Sequence, residues 1–151
     1  MSPAPVRILE PSAGDGAMLD PLREHWPAAQ IDAYDIQPQH PDVKARIFYL
    51  DDVPGDYDLV FTNPPYVWAQ GFAAYGLSVL RPGGTLVLLL RLAFLASQER
   101  RAWLQAHMPH HVYVLSSRPS FKGDGSTDFS EYAWFVWRKV AGDYAPRITI
   151  L

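Results

Sequence analysis

Short apolar runs rich in β-branched and aromatic residues recur along this chain, with helix-like segments between them. This alternation is typical of a mostly parallel sheet covered by helices on both faces, and it constrains the fold more than any other feature. Seven strands are predicted, at residues 6–10, 30–35, 45–50, 57–62, 85–90, 111–117 and 132–139. Helices are predicted at residues 17–25, 68–80 and 97–107, the last capped by Ser97. The chain is therefore expected to be an α/β protein.

The relative direction of the last two predicted strands follows from the length of the segment between them. Residues 118–131, between the last two predicted strands, are rich in Gly, Ser and Asp. This stretch is short for a parallel crossover that contains a helix, so we expect an antiparallel pair joined by a long loop. Residues 85–90 are continuously apolar, which favours a central strand that is buried on both faces.

Length and composition narrow the class of protein. The 151 residues suit a single domain, residues 1–151, without a separate recognition domain. The chain has no Cys, which excludes disulfides, thiolate zinc sites and a cysteine nucleophile. Its apolar runs are too short to cross a bilayer, and no signal peptide precedes the first strand, so we expect a cytoplasmic protein. The histidines at 107, 110 and 111 lack metal-ligand spacing, and no metal site is predicted.

Charge is divided unevenly along the chain. The net charge is −3, but residues 1–90 hold 5 Lys/Arg and 11 Asp/Glu, whereas residues 91–151 hold 8 and 5. Different functions for the two halves would explain this division, and chance segregation would explain it equally well. The arginines at 91, 100 and 101 could contact phosphates, although each alone is more simply a solvated surface charge.

A glycine turn follows the first predicted strand. Gly14 and Gly16 permit a sharp turn and a close approach to a ligand, and Asp35 ends the next strand, where it can accept hydrogen bonds from ribose hydroxyls. Glu10 and Asp15 place negative charge at the same turn, which disfavours a phosphate and favours a sulfonium or an α-amino group. The pattern predicts a site for a positively charged nucleoside; the glycines alone would fit an ordinary tight turn.

Asn63-Pro64-Pro65-Tyr66, directly after the fourth strand, is the sharpest motif in the chain. The prolines stiffen the backbone, so the Pro64 carbonyl and the Asn63 side chain can serve as two fixed hydrogen-bond acceptors. Two acceptors that hold the hydrogens of a conjugated amine or an amide would free its delocalised lone pair for attack. Tyr66 can stack on a flipped-out base.

In chain order, these segments resemble the motifs of class I S-adenosylmethionine-dependent methyltransferases. The matching segments are Glu10-Pro11-Ser12-Ala13-Gly14-Asp15-Gly16, Asp35, Asp51 or Asp52, and Asn63-Pro64-Pro65-Tyr66. The resemblance covers about residues 6–139 and is to the amino-methylating branch, which includes small phage and prophage DNA adenine-N6 methyltransferases. It implies a Rossmann-like sheet of seven strands in the order 3-2-1-4-5-7-6, with strand 7 antiparallel.

The resemblance implies S-adenosylmethionine as the cofactor and assigns residues to its parts. For the methionine part these are Glu10, Pro11, Ser12, Ala13, Gly14 and Gly16. For the nucleoside they are Asp35 and Ile36, with Asp51 or Asp52 on the adenine amino group. Asn63, Pro64, Pro65 and Tyr66 would be catalytic, with Asn63 also touching the cofactor and Tyr66 binding the target base.

Further substrate contacts are expected in the last long loop. Phe121 matches an aromatic that clamps the target base from its other side, although a loop Phe packed on the sheet is an equal alternative. Arg118 and Lys122 could bind phosphates beside it. The resemblance also implies a helix before the first strand, where this chain has five residues, so we expect that helix to come from later in the chain or from a partner. Because no recognition domain is expected, sequence specificity should be short or weak, or should depend on residues 118–131, on a homodimer partner or on a separate recognition subunit.

The resemblance implies methyl transfer from S-adenosylmethionine to the N6 of adenine in DNA, by direct displacement after base flipping. The expected partner is DNA, with no membrane, metal or covalent intermediate. The alternatives are the same chemistry on an RNA base or a protein glutamine amide, and a non-catalytic nucleoside-binding subunit.

Overall fold

A computed structural model describes residues 4–48, 51–117, 119 and 130–151. The strands are β1 Arg7–Glu10, β2 Gln30–Asp35, β3 Lys44–Ala45, β4 Tyr57–Thr62, β5 Leu80–Arg91, β6 His111–Val114, β7 Tyr132–Arg138 and β8 Arg147–Ile150. The helices are α1 Leu19–His25, α2 Ala69–Val79 and α3 Arg101–Ala106, with 3₁₀ turns at Tyr66–Trp68 and Leu92–Leu95. Within the described residues, no helix has the length and apolar character needed to cross a membrane.

All the strands belong to one sheet in the order β3-β2-β1-β4-β5-β7-β6-β8. Strand β7 runs antiparallel to β5 and β6, and the other neighbouring pairs are parallel. The predicted fold class, the order of the first seven strands and the antiparallel β7 are confirmed. The prediction of seven strands was wrong by one, because β8 pairs with β6 at the edge. All four residues of β8 are exposed, so its sequence has no buried face to mark it as a strand.

Several elements begin or end at residues other than those predicted. Strand β5 begins at Leu80 instead of residue 85, because Gly83 and Gly84 exchange backbone hydrogen bonds with Lys139 and the strand continues through the glycines. Strand β3 is Lys44–Ala45, so it includes only residue 45 of the predicted 45–50, and residues 49–50 lie outside the described residues. Ser97 does not cap α3: the Arg101 N–H bonds to the Gln98 carbonyl in a preceding turn, and the helix begins after Arg100.

Alternate residues of the central strands enter separate cores, so helices lie on both faces of the sheet as predicted. On one face, Leu9 belongs to the large core in which Phe72 of α2 and Leu104 of α3 pack against β5 and β7. On the other face, Ile8 packs with Leu22 of α1 and Leu59 of β4. Each fully buried Leu or Ile contributes about 1.5–3 kcal/mol of apolar burial, so the paired cores fix the central strands firmly.

The strand order also determines where chemistry can occur. Strand β1 lies between β2 and β4 and runs parallel to both. The segments that leave the carboxyl ends of these three strands therefore meet at one edge of the sheet, where α/β sheets bind ligands.

Candidate active site

The glycine turn after β1 is tied to the end of β2. Gly14 has φ +50° and donates its N–H to Asp35 Oδ2 at 2.9 Å, while the Ala13 N–H bonds to the Tyr34 carbonyl at 2.9 Å. Gly16 has φ +84°, and a methyl group there would lie 2.8 Å from the His40 ring. Glycine is favoured at both positions because φ is positive there. The resulting turn holds the Asp35 carboxylate in place through the Gly14 N–H.

Asp35 borders a cavity of about 100 Å³, hereafter the nucleoside cavity. Its lining residues are Pro11, Ser12, Asp35, Ile36, Arg46, Ile47, Phe48, Pro65, Trp68 and Phe72. Four of the predicted cofactor residues lie in this wall, and Pro65 joins them from the Asn-Pro-Pro-Tyr motif. Within this wall the rings of Phe48 and Phe72 pack against each other, with their centroids 5.3 Å apart. A cavity with one carboxylate and several apolar walls suits a sugar and a planar ring.

Sequence reasoning missed much of this wall. Phe48 lies in a predicted strand and Phe72 in a predicted helix, and periodicity cannot show that both border a cavity. Arg46 gave no signal in the sequence: its guanidinium lies 5.0 Å from the Tyr34 ring centroid and donates to the Asp52 carbonyl at 2.9 Å. Ile36 was expected, and its 67% exposure leaves it open to a ligand at the rim.

Glu10 is fully buried at the end of β1. Its Oε1 accepts the Ser12 N–H at 3.1 Å, and its Oε2 has no hydrogen-bond partner among the described residues. Burial raises the pKa of Glu10 to about 8. Without a ligand this carboxyl is therefore mostly protonated at neutral pH, and a cationic ligand group beside it would favour its charged form. The site therefore fits a positively charged group next to the glycine turn.

The structure places Asp51 and Asp52 beside the nucleoside cavity rather than in its wall. Asp51 Oδ2 accepts the Ile47 N–H at 2.7 Å, and the Asp51 carbonyl accepts the Tyr75 hydroxyl at 3.0 Å. Asp51 thus holds the backbone of Ile47, which does line the cavity. Contact of either aspartate with an adenine amino group stays a prediction.

The Asn-Pro-Pro-Tyr segment follows β4 and separates the nucleoside cavity from a more open one. This second cavity, hereafter the target cavity, has about 400 Å³ and is lined by Ser12, Asn63, Pro64, Pro65, Tyr66, Arg91 and Tyr132. Ser12 and Pro65 border both cavities. The structure therefore brings the four predicted catalytic residues together at the junction between the nucleoside cavity and a second opening.

Tyr66 is oriented by its neighbours in the target cavity. Its hydroxyl donates to Asn63 Oδ1 at 3.2 Å. The Tyr132 ring centroid lies 5.6 Å from its own, and the Arg91 guanidinium lies 5.0 Å from the Tyr66 ring centroid. These contacts fix both the Tyr66 ring and the Asn63 carboxamide.

The remaining predicted contacts lie beyond the described part of the chain. Arg118, Phe121 and Lys122 fall outside the described residues, so their roles stay predictions. Among the residues that the structure describes, no group of three or more His, Asp and Glu side chains could hold a metal ion.

Comparisons of sequence lead to methyltransferases. No protein-family model matches the chain. A malonyl-[acyl-carrier protein] O-methyltransferase from Hahella chejuensis is 28% identical over 124 aligned positions, covering 72% of this chain and 44% of the relative. A ribosomal protein uL3 glutamine methyltransferase from Bradyrhizobium diazoefficiens is 36% identical over 84 positions, covering 45% of this chain and 26% of the relative. The chain thus spans less than half the length of each.

Comparisons of structure show the fold. A protein from Listeria monocytogenes assigned to the class I S-adenosylmethionine-dependent methyltransferases superposes with a TM-score of 0.71, at 14% identity over 97% of this chain and 58% of that one. An S-adenosylmethionine-dependent O-methyltransferase from Thermotoga maritima superposes with a TM-score of 0.61, at 19% identity over 92% of this chain and 61% of that one. The M protein of the type I restriction enzyme EcoKI superposes with a TM-score of 0.65, at 12% identity over 87% of this chain and 39% of that one. The chain has the fold of class I S-adenosylmethionine-dependent methyltransferases.

Proposed function

We propose that this protein transfers the methyl group of S-adenosylmethionine to a planar nitrogen, and that its target is the N6 amino group of adenine in DNA. The observation that carries the proposal is the position of Asn63-Pro64-Pro65-Tyr66 between the nucleoside cavity and the target cavity. Pro65 of this motif borders both cavities, so a group held in one cavity and a group held in the other can meet beside the motif.

The first part of the proposal concerns the cofactor. S-adenosylmethionine would supply an electrophilic methyl group on a positively charged sulfur. Asp35 can accept hydrogen bonds from the ribose hydroxyls, because each carboxylate oxygen has lone pairs beyond those that bind Gly14 and Gln37. The unpartnered Oε2 of Glu10 suits the cationic amino-acid part. The sequence relatives, all named as methyltransferases, support this part.

The second part concerns the attacking atom. Asn63 Oδ1 keeps one lone pair after it accepts the Tyr66 hydroxyl, and the Pro64 carbonyl provides a second acceptor. Two acceptors match the two hydrogens of an amino group. Attack by the nitrogen would break the methyl–sulfur bond, with neutral S-adenosylhomocysteine as the leaving group, and would place the positive charge on the nitrogen, whose extra proton would then pass to solvent. Fixed acceptors around that nitrogen stabilise the developing charge. An oxygen nucleophile has no second hydrogen to satisfy such a pair.

The third part concerns the substrate. The open target cavity and the held ring of Tyr66 suit a flipped-out base, since stacking of a base on an aromatic side chain contributes about 1–3 kcal/mol. A glutamine amide in a protein is the second candidate, because its nitrogen is also planar with two hydrogens, and the 36% identical relative is named a glutamine methyltransferase.

A single labelling experiment tests these parts together. The protein would be incubated with isotopically labelled S-adenosylmethionine and separate pools of DNA, RNA and protein, with Asn63→Ala as the matched control. Label recovered as N6-methyladenine from DNA, and absent with the variant, is the expected result. Label in glutamine or in RNA would keep the chemistry and replace the substrate. Cofactor binding without transfer to any pool would refute the enzyme assignment for the protein on its own.

A further inference from the structure

A third cavity adjoins the target cavity. It has about 260 Å³ and shares Tyr66 and Arg91 with the target cavity; we call it the arginine cavity. Its other walls include Leu90, Phe94 and Arg100. Two guanidinium groups therefore border a space that opens beside the ring proposed to stack on the target.

Arg100 is held at this cavity by contacts with Phe94, none of which, among the described residues, brings a carboxylate to its guanidinium. Its guanidinium lies 4.9 Å from the centroid of the buried Phe94 ring, and its Nη1 donates to the Phe94 carbonyl at 3.2 Å. One hydrogen bond uses one of five donors, so the head group is positioned with donors to spare. Within the described residues, Arg100 forms no ion pair, whereas Arg7, Arg23 and Arg81 each contact a carboxylate.

A nucleotide in the target cavity would bring an anion to the neighbouring space. Each nucleotide within a strand has a phosphate on both sides of its sugar, whereas a glutamine side chain has no anion at a fixed distance. Guanidinium groups bind phosphate oxygens with paired, charge-assisted hydrogen bonds. The charge at the arginine cavity is therefore matched to the backbone of a polynucleotide.

We infer that the arginine cavity is a phosphate subsite for the DNA backbone next to the target adenine, with Arg100 as its principal ligand. This inference rests on the proposed function, because it names a substrate group for the same site. Arg91 borders the cavity as well, but its contact with Tyr66 couples it to the target cavity, so Arg100 provides the cleaner test.

The test compares Arg100→Gln, Arg100→Lys and Arg101→Gln in full-length protein. Arg101 is the matched control: the sequence alone offers it as a phosphate contact on the same terms as Arg100, but in the structure it is exposed and lies outside the walls of the arginine cavity. Binding of a fluorescent single-stranded oligodeoxynucleotide of mixed sequence would be measured by anisotropy over a range of salt concentrations. Methyl transfer to the same oligonucleotide would be measured in parallel.

Arg100→Gln is expected to weaken DNA binding about tenfold. It should also reduce the slope of log K against log salt by about 0.7, the value for one lost phosphate contact on a single strand. Arg100→Lys should recover most of the affinity, since it keeps the charge, and Arg101→Gln should match the unmodified protein. An oligonucleotide with an uncharged methylphosphonate beside the adenine should bind the unmodified protein and Arg100→Gln equally.

Other outcomes separate this inference from the proposed function. DNA methylation with equal affinity and salt slope in Arg100→Gln and Arg101→Gln would overturn the subsite and leave the proposed function intact. DNA binding that depends on Arg100 without any methylation of DNA would support the subsite and refute adenine as the target. Binding confined to RNA, or label confined to protein glutamine without binding of DNA, would overturn the subsite as a DNA contact.

Discussion

At the scale of single residues, Asn63 offers the sharpest separation of chemistry from binding. Its side chain lines the target cavity and does not line the nucleoside cavity. Asn63→Ala is expected to lower turnover by about 10²-fold or more, as the loss of one preorganised polar contact does, while cofactor affinity stays nearly unchanged. Single-turnover rates and calorimetry would measure the two effects. A large loss of cofactor affinity would show that Asn63 mainly binds the cofactor.

Tyr66→Phe is the companion control for that substitution. It keeps the ring that contacts Tyr132 and removes only the hydroxyl that bonds to Asn63. If the hydroxyl acts by orienting the carboxamide, turnover should fall less than with Asn63→Ala. An equal fall would assign the hydroxyl a direct part in the reaction.

The buried carboxyl group of Glu10 is expected to make the free energy of unfolding depend on pH. Burial raises its pKa from 4.5 to about 8, so the folded chain without ligand binds one more proton at this site than the unfolded chain between those values. The free energy of unfolding is therefore expected to fall as pH rises through this window, by up to about 1.4 kcal/mol per pH unit. Glu10→Gln removes this dependence and should be more stable than the unmodified protein above about pH 8. Urea unfolding at several pH values, with no cofactor, would measure both; parallel pH profiles would contradict the buried titration.

At the scale of elements, the entry into β5 shows how the sheet constrains a glycine. A methyl group at Gly84 would lie 2.9 Å from the backbone carbonyl oxygens of Tyr57 and Arg81, which cannot move as a side chain could. Gly84→Ala is expected to cost about 1–3 kcal/mol, as overpacking does. Gly71, in the first turns of α2, has nothing within 4 Å, so Gly71→Ala should be neutral or stabilise by up to about 1 kcal/mol. Denaturant midpoints would compare the two, and equal effects would argue against the close strand packing.

The same elements show what could be predicted from sequence. Buried strands such as β1 and β4 have strong apolar runs, and their order followed from the resemblance. The start of β5 could not be predicted, since Pro82, Gly83 and Gly84 resemble a turn until the hydrogen bonds with Lys139 are known. The exposed strand β8 lacks the burial pattern on which such predictions depend.

At the scale of the whole molecule, the site combines residues that are distant in sequence. Motifs predicted one side of the site, formed by Glu10, the glycine turn, Asp35 and Asn63, because each of these ends a strand or directly follows one. Arg46 and the ring of Tyr132 reach the same edge through β3 and β7, and only the sheet order brings them there. Local sequence can specify the ends of strands, but contacts between elements require the assembled sheet.

The final prediction tests whether the described fold binds the cofactor as a unit. S-adenosylmethionine at about 100 times its dissociation constant should stabilise the protein by about 2.7 kcal/mol. For a chain of this size that corresponds to a rise in Tm of about 5–10 °C. Asp35→Ala should lose most of the rise at the same concentration, because it removes the ribose acceptor and the partner of the Gly14 N–H. Asp42→Ala, which loses only an exposed ion pair with Arg23, should retain it. A rise that is unchanged in Asp35→Ala would show that Asp35 does not bind the ribose, and no rise in the unmodified protein would refute cofactor binding by this chain on its own.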